Sequence, residues 1–263
     1  MSGVDLVPYV AQVLDEQDAY RNAPPAVLPR AVRSISAPLA GMTKWLIPAE
    51  VVEAAIKGAD WVAAASIRDA TLAHDFTVLE ACDKAADGVK RWALGYAVTG
   101  GGAAGALGAA GLAIDIPATM TLALRTARLT GLAYGFGARG VAEQIHILNI
   151  LQLAAANSVE EREAAIRRLS EHRRTLGAEE WHKVAEMTGH AAGASVAARR
   201  AAETLGVNLS VRKMAQVAPV VGAAVGASVN AAFQNDVATA ARFAFRARWL
   251  EVNEGIVEGQ PGL

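Results

Sequence analysis

Residues 92–114 read WALGYAVTGGGAAGALGAAGLAI and carry no charged side chain. As a helix rising about 1.5 Å per residue, a run of that length could cross about 30 Å of hydrocarbon. Its composition argues against a simple span, because Gly and Ala contribute little transfer energy beside Leu, Ile or Phe. The triplet Gly100-Gly101-Gly102 is also poor helix, at about 1 kcal/mol per glycine relative to alanine. A second uncharged run, residues 214–235, reads MAQVAPVVGAAVGASVNAAFQN, with Pro219 inside it. Both runs predict helix–break–helix, two short apolar arms around a bend. Small residues recur at helical spacing: Gly101 and Gly105, Gly222 and Gly226, and the series Gly102, Gly105, Gly108, Gly111. Such faces let helix backbones approach closely. Three roles stay open: tight packing inside a soluble bundle, a hairpin dipping into one leaflet, or a true span.

Each run leads into an Asp and then an arginine-bearing helix: Asp115 before Arg125 and Arg128, and Asp236 before Arg242, Arg246 and Arg248. Asp115-Ile116-Pro117 predicts a helix start, with the carboxylate capping free amides and Pro in the first turn. Ser158-Val159-Glu160-Glu161 reads as a capping box, and Glu163 with Arg167 as an i,i+4 pair. Gly177 and Gly206 stand where glycines close helices. Residues 22–48 hold Pro24, Pro25, Pro29, Pro38 and Pro48, too many for one helix. They follow an N-terminal amphipathic helix over about 4–20. Alternating segments are scarce, and the best strand candidate is 93–99. The reading is an all-α, multi-helix bundle with two Gly/Ala-rich helical hairpins. It divides into an N-terminal helix and Pro-rich connection (1–47), a helical domain (48–251) and a flexible tail (252–263).

With 263 residues the chain can bury a core without disulfides or metals. Lys+Arg total 25 and Asp+Glu 26, a net charge of −1 that lacks the basic excess nucleic-acid binding needs. A hydrophobic share of 53% against 19% charged excludes intrinsic disorder. The single cysteine, Cys82, excludes a disulfide framework and reads as a small buried hydrophobe. The N-terminus has no basic segment followed by an apolar run, so a cytoplasmic location, or the inner face of the cell membrane, is expected.

Candidate chemistry is sparse. Gly100–Gly105 matches G-x-G-x-x-G, but no βαβ alternation surrounds it, so no nucleotide cofactor is expected. His182, Glu186 and His190 share a helical face at i, i+4, i+8 and could seat a metal; the alternative is a solvated polar face. His74-Asp75 lacks distant partners for a metal site. His146 lies between apolar residues, the setting of a core histidine. The segment ARFAFRARWL (241–250) joins arginines to Phe243, Phe245 and Trp249, the chemistry of a membrane-surface helix. Its alternative is a water-soluble helix whose arginines pair with Glu251 and Glu254.

The stretch from Gly102 through the EQIHILNILQLA segment, with APVVGAAVGASVNAAFQNDVATAARFAFRARWLE (218–251), resembles the EcsC family. Asp115, Ile116 and Pro117 match that family's "aDiP" pattern. Ala218-Pro219, Gly222, Gly226 and Asn230 match its "iPvvGAxvGaxxN" pattern, with Ala218 where Ile is frequent. The resemblance covers about residues 45–251. It implies a mainly helical, membrane-associated bacterial protein without an established catalytic site, accessory to membrane transport or secretion. Partners would be the membrane surface or membrane-protein helices. The alternatives are a soluble helical interaction module, or a metal-dependent enzyme built on His182, Glu186 and His190.

Overall fold

The computed structural model of the chain describes residues 8–23, 49–67, 70–106, 109–137, 140–156, 158–175, 191–214 and 222–256. Among these, every regular element is an α-helix, so the all-α expectation is borne out. The helices are α1 (Pro8–Asn22), α2 (Ala49–Ser66), α3 (Leu79–Ala106), α4 (Ala109–Ala133), α5 (Val141–Ala154), α6 (Val159–Thr175), α7 (Ala191–Met214) and α8 (Gly222–Glu254). The strand candidate at 93–99 lies within α3.

The bundle is built around α5. From His146 to Ala154 its side chains are buried without interruption, polar His146, Asn149 and Gln152 included, so this helix has no solvent face and sits in the core. Helices α4, α6, α7 and α8 pack against it, α2 bridges α4 and α7, and α3 lies against α4 and α8. One contiguous core runs through all eight helices, with Met120, Leu124, Ile147, Ile150, Leu151, Leu169, Leu205, Phe233 and Phe245 fully buried. Each contributes on the order of 1.5–3 kcal/mol by leaving water.

Local sequence explains several boundaries. Asp75 accepts from the Thr77 amide (2.9 Å) and hydroxyl (2.6 Å), turning the chain into α3. The Ser158 hydroxyl accepts from the Glu161 amide (3.2 Å), the expected cap of α6. Glu163 and Arg167 pair at 3.8 Å on a solvated face, where such a contact is worth little. Helix α4 closes on Gly135 (φ 79°): the Phe136 amide donates to Gly131 O (2.9 Å) and the Gly135 amide to Leu132 O (3.0 Å). This is the left-handed glycine closure of a helix end. Gly255 (φ 65°) does the same for α8, with the Ile256 amide on Leu250 O (3.2 Å).

Three sequence expectations are corrected. Asp115-Ile116-Pro117 is not a helix start, because α4 already runs from Ala109 and holds Pro117 in its interior. Buried Ile116, Met120, Ala123, Leu124 and Ala127 continue one stripe through the proline, and their packing offsets its missing N–H. Gly206 does not end a helix; α7 passes through it to Met214. Gly100-Gly101-Gly102 is helical, inside α3. Gly177 lies outside the described residues.

Candidate functional site

Buried charge fixes the register of the long helices. On α3, Asp83 stands in an otherwise apolar stripe of Leu79, Cys82, Ala86, Ala93 and Ala97, itself 2% exposed. Arg246 of α8 grips it with both arms of its guanidinium: Nε donates to Oδ1 (2.7 Å) and Nη2 to Oδ2 (2.8 Å). The hydroxyls of Tyr134, at the end of α4, and Tyr9, on α1 (2.6 Å), also donate to this carboxylate. Burial alone would raise the Asp83 carboxyl, but Arg246 and the two tyrosines outweigh it and hold it below the usual range. One turn along, Arg242 Nη1 donates to Asp87 (2.6 Å).

A second cluster joins α5, α6 and α8. Glu143 accepts from Arg248 Nη1 (2.8 Å), whose guanidinium stacks 4.0 Å from the Phe136 ring centre. Burial pushes the Glu143 carboxyl up despite that arginine. His146 is fully buried, edge-on to Phe245 (5.2 Å) and stacked on His172 (6.1 Å). The His172 ring nitrogen Nε2 bonds Ala142 O (2.9 Å). Burial, with Arg248 and Arg173 nearby, lowers the proton affinity of both histidines, His146 most of all. A third junction sets Arg128 of α4 on Asp60 of α2, with Gln144 Nε2 on the other Asp60 oxygen (2.9 Å).

These pairs define helix directions. Asp83 faces Arg246 and Tyr134, and Asp87 faces Arg242, while Trp92 lies under the Arg125 guanidinium (4.9 Å). Helix α3 therefore runs antiparallel to both α4 and α8. Gln234 donates to Thr119 O (3.2 Å), and Gly131 abuts Phe245, so α4 and α8 run parallel. The C-terminus of α3 and the N-termini of α4 and α8 consequently lie at one pole of the bundle. That pole is about 35 Å along α3 from Asp83, at 1.5 Å per residue. The helical parts of both uncharged runs converge there, although they are far apart in sequence. Tyr96 and Val98 of α3, 60% and 50% exposed, stand on the approach to it.

Of the motif positions, Gly101 and Gly105 lie in α3; Gly111, Asp115 and Pro117 in α4; and Gly222, Gly226 and buried Asn230 in α8. Gly108 and Pro219 lie outside the described residues, as do His182, Glu186 and His190. Among the described residues no three His, Cys, Asp or Glu side chains are grouped to hold a metal. His74 Nε2 bonds Ala133 O (2.8 Å) rather than joining Asp75 in a site. Gly100–Gly105 lies along a helix and not in a turn at a helix N-terminus, so it forms no pyrophosphate cradle. Cys82 is buried, donates to Phe76 O (3.5 Å), and has its thiol pushed up to about 11 by burial and by Asp83 and Asp75.

The ARFAFRARWL segment departs from both of its readings. Phe243, Phe245 and Trp249 are buried, and Arg242, Arg246 and Arg248 pair with Asp83, Asp87, Glu16 and Glu143. Glu251 instead holds Arg173 (3.2 Å). No described helix is long and apolar enough to cross a membrane.

The sequence motifs point to one class of protein, and the family comparison identifies it. The EcsC protein family matches residues 27–250, and the chain belongs to that family. Comparison with curated proteins and with solved structures finds no match.

Proposed function

We propose that the protein is a non-catalytic, membrane-associated EcsC-type protein, accessory to membrane transport or secretion at the inner face of the cell membrane. It sets the pole formed by α3, α4 and α8 against lipid or membrane-protein helices, peripherally and without spanning. One observation carries this reading: the register that brings both uncharged runs to the same pole. The uncharged helix ends that meet there incur little desolvation cost on contact with hydrocarbon, whereas each charged side chain would add several kcal/mol. Exposed Tyr96 and Val98 supply an amphipathic ring and an apolar side chain near that contact.

Flotation of the intact chain with vesicles of phosphatidylcholine and phosphatidylglycerol tests it. The protein is expected to float with the vesicles, and Tyr96→Asp with Val98→Asp to cut the bound fraction at least about tenfold, the worth of one lost apolar burial. A protein that stays at the bottom of the gradient with every vesicle composition overturns the reading. That result would favour a soluble helical interaction module. Its supporting observation is the burial of Phe243, Phe245 and Trp249, which withdraws the aromatic–basic segment from any lipid surface.

A further inference from the structure

We infer that Arg125, with the aromatic pair beside it, is a headgroup site for an anionic phospholipid. The lipid phosphate lies on the Arg125 guanidinium, and the upper acyl chains lie along the outer leucines of α4. This rests on the membrane reading above and gives it a lipid class.

Arg125 differs from the other arginines of the long helices. Arg128, Arg242, Arg246 and Arg248 are each answered by a carboxylate. The Arg125 guanidinium instead lies over the Trp92 ring, 4.9 Å from its centre. Its Nε is buried without a hydrogen-bond partner, and no carboxylate pairs with it among the described residues. A guanidinium held face-on by a ring keeps its in-plane donors for an oxyanion. Nearby acids do not fill that place. Asp87 is turned to α8, where Arg242 holds it. Asp115 stands ten residues back on α4, about 15 Å along the axis.

The surroundings of this charge have the order of a lipid interface. Half-buried Trp92 packs on exposed Tyr96, with ring centres 4.8 Å apart. Helix α4 turns Ala118, Leu122, Leu129 and Leu132 to the same side as Arg125, at i−7, i−3, i+4 and i+7, and leaves all four half-buried or exposed. Residues 116–124 carry no charge. The contacts of Asp83 with Tyr134 and of Trp92 with Arg125 share one antiparallel register. That register sets Tyr96 level with Thr121, one turn nearer the pole than Arg125. Along the axis the sequence is cation, aromatic belt, then uncharged chain, matching headgroup, interface and acyl layer. Exposed Arg91, next to Trp92, adds a second cation at the headgroup level. An acidic protein surface would answer the charge but give no part to the aromatic belt and the uncharged runs beyond it.

The test compares flotation of the full chain with vesicles of pure phosphatidylcholine and of an equimolar mixture with phosphatidylglycerol. The native chain is expected to bind the mixture at least about tenfold more strongly. Arg125→Gln should lose about fivefold of that preference, the worth of one cation at an anionic surface, with binding to pure phosphatidylcholine unchanged. Lys84→Gln makes the same change in net charge about 12 Å farther from the pole than Trp92, beyond a Debye length, and should alter the preference less than about twofold. Equal binding of the native chain to both vesicles overturns this site and leaves the membrane reading standing; flotation with neither overturns both. An Arg125→Gln chain with undiminished preference also overturns the site. Should that variant fail to fold, brominated phosphatidylglycerol decides. It is expected to quench the tryptophan fluorescence of the native chain more than that of Trp92→Phe, and equal quenching overturns the assignment.

Discussion

A carboxylate as deep as that of Asp83 is tolerable only while its charge is answered, and Arg246 answers it with two parallel hydrogen bonds. Replacing Asp83 with Asn keeps the shape but leaves the buried guanidinium with only the half-exposed Glu16 as a counter-charge. We expect Asp83→Asn to cost about 3–5 kcal/mol in urea denaturation. Tyr9→Phe, which removes one donor among several, should cost about 1 kcal/mol. A loss under 1 kcal/mol for Asp83→Asn would show that the pair does not hold α3 to α8. The sequence reading missed this site, although one signal for it was local: Asp83 is a charge inside the apolar stripe of α3. Its partner left no such signal. Charge pairing read along a chain sees only neighbours three or four residues away, and so assigned the α8 arginines to Glu251 and Glu254. Their real partners include one 163 residues distant. His146 and Cys82 were readable as core residues because apolar neighbours flank them on their own helices.

Among the helices, α4 shows where local signals lose to packing. Asp-Ile-Pro is a good helix opening taken alone, yet the stripe through Met120 and Leu124 continues across the proline and the helix with it. Closing glycines were misplaced for a related reason. Gly206 is spent inside α7, while Gly135 and Gly255, which adopt positive φ, do the closing. The parallel contact of α4 with α8 depends on another glycine. A Cβ built at Gly131 would lie 2.8 Å from Cζ of Phe245, a ring confined by Phe136 and His146. Gly131→Ala should therefore force the two helices apart and lower stability by about 1–3 kcal/mol despite alanine's better helix propensity. A thermal midpoint equal to or above that of the native chain would contradict this close approach.

For the molecule as a whole, the buried titratable groups predict a two-step response to acid. His146 and His172 bind protons less readily folded than unfolded. Their contribution is complete above about pH 6.5 and declines below it, by about 1.4 kcal/mol per pH unit for each histidine that stays neutral. Glu143 opposes this, because its raised carboxyl takes up a proton earlier in the folded state. Asp83, held low, gives a contribution present above about pH 4 and lost as pH falls further toward its folded value. His146→Leu should flatten the urea midpoint between pH 7 and 5 while leaving the steeper fall below pH 4. An unchanged slope between pH 7 and 5 would exclude His146 as its source. The all-helical class and the family were legible because charge-free Gly/Ala text and its flanking patterns are local. The meeting of the two runs at one pole was not, since it follows from pairings between α3, α4 and α8.

That geometry divides the molecule like a tent peg. Its ionised fastenings are crowded at the head, among Asp83, Arg246, Glu143 and Arg248, while at the point the two uncharged runs offer acid nothing to titrate short of Asp115. Protons therefore work the head loose and leave the point untouched, so whatever grips the point should hold on after the rest has begun to give way.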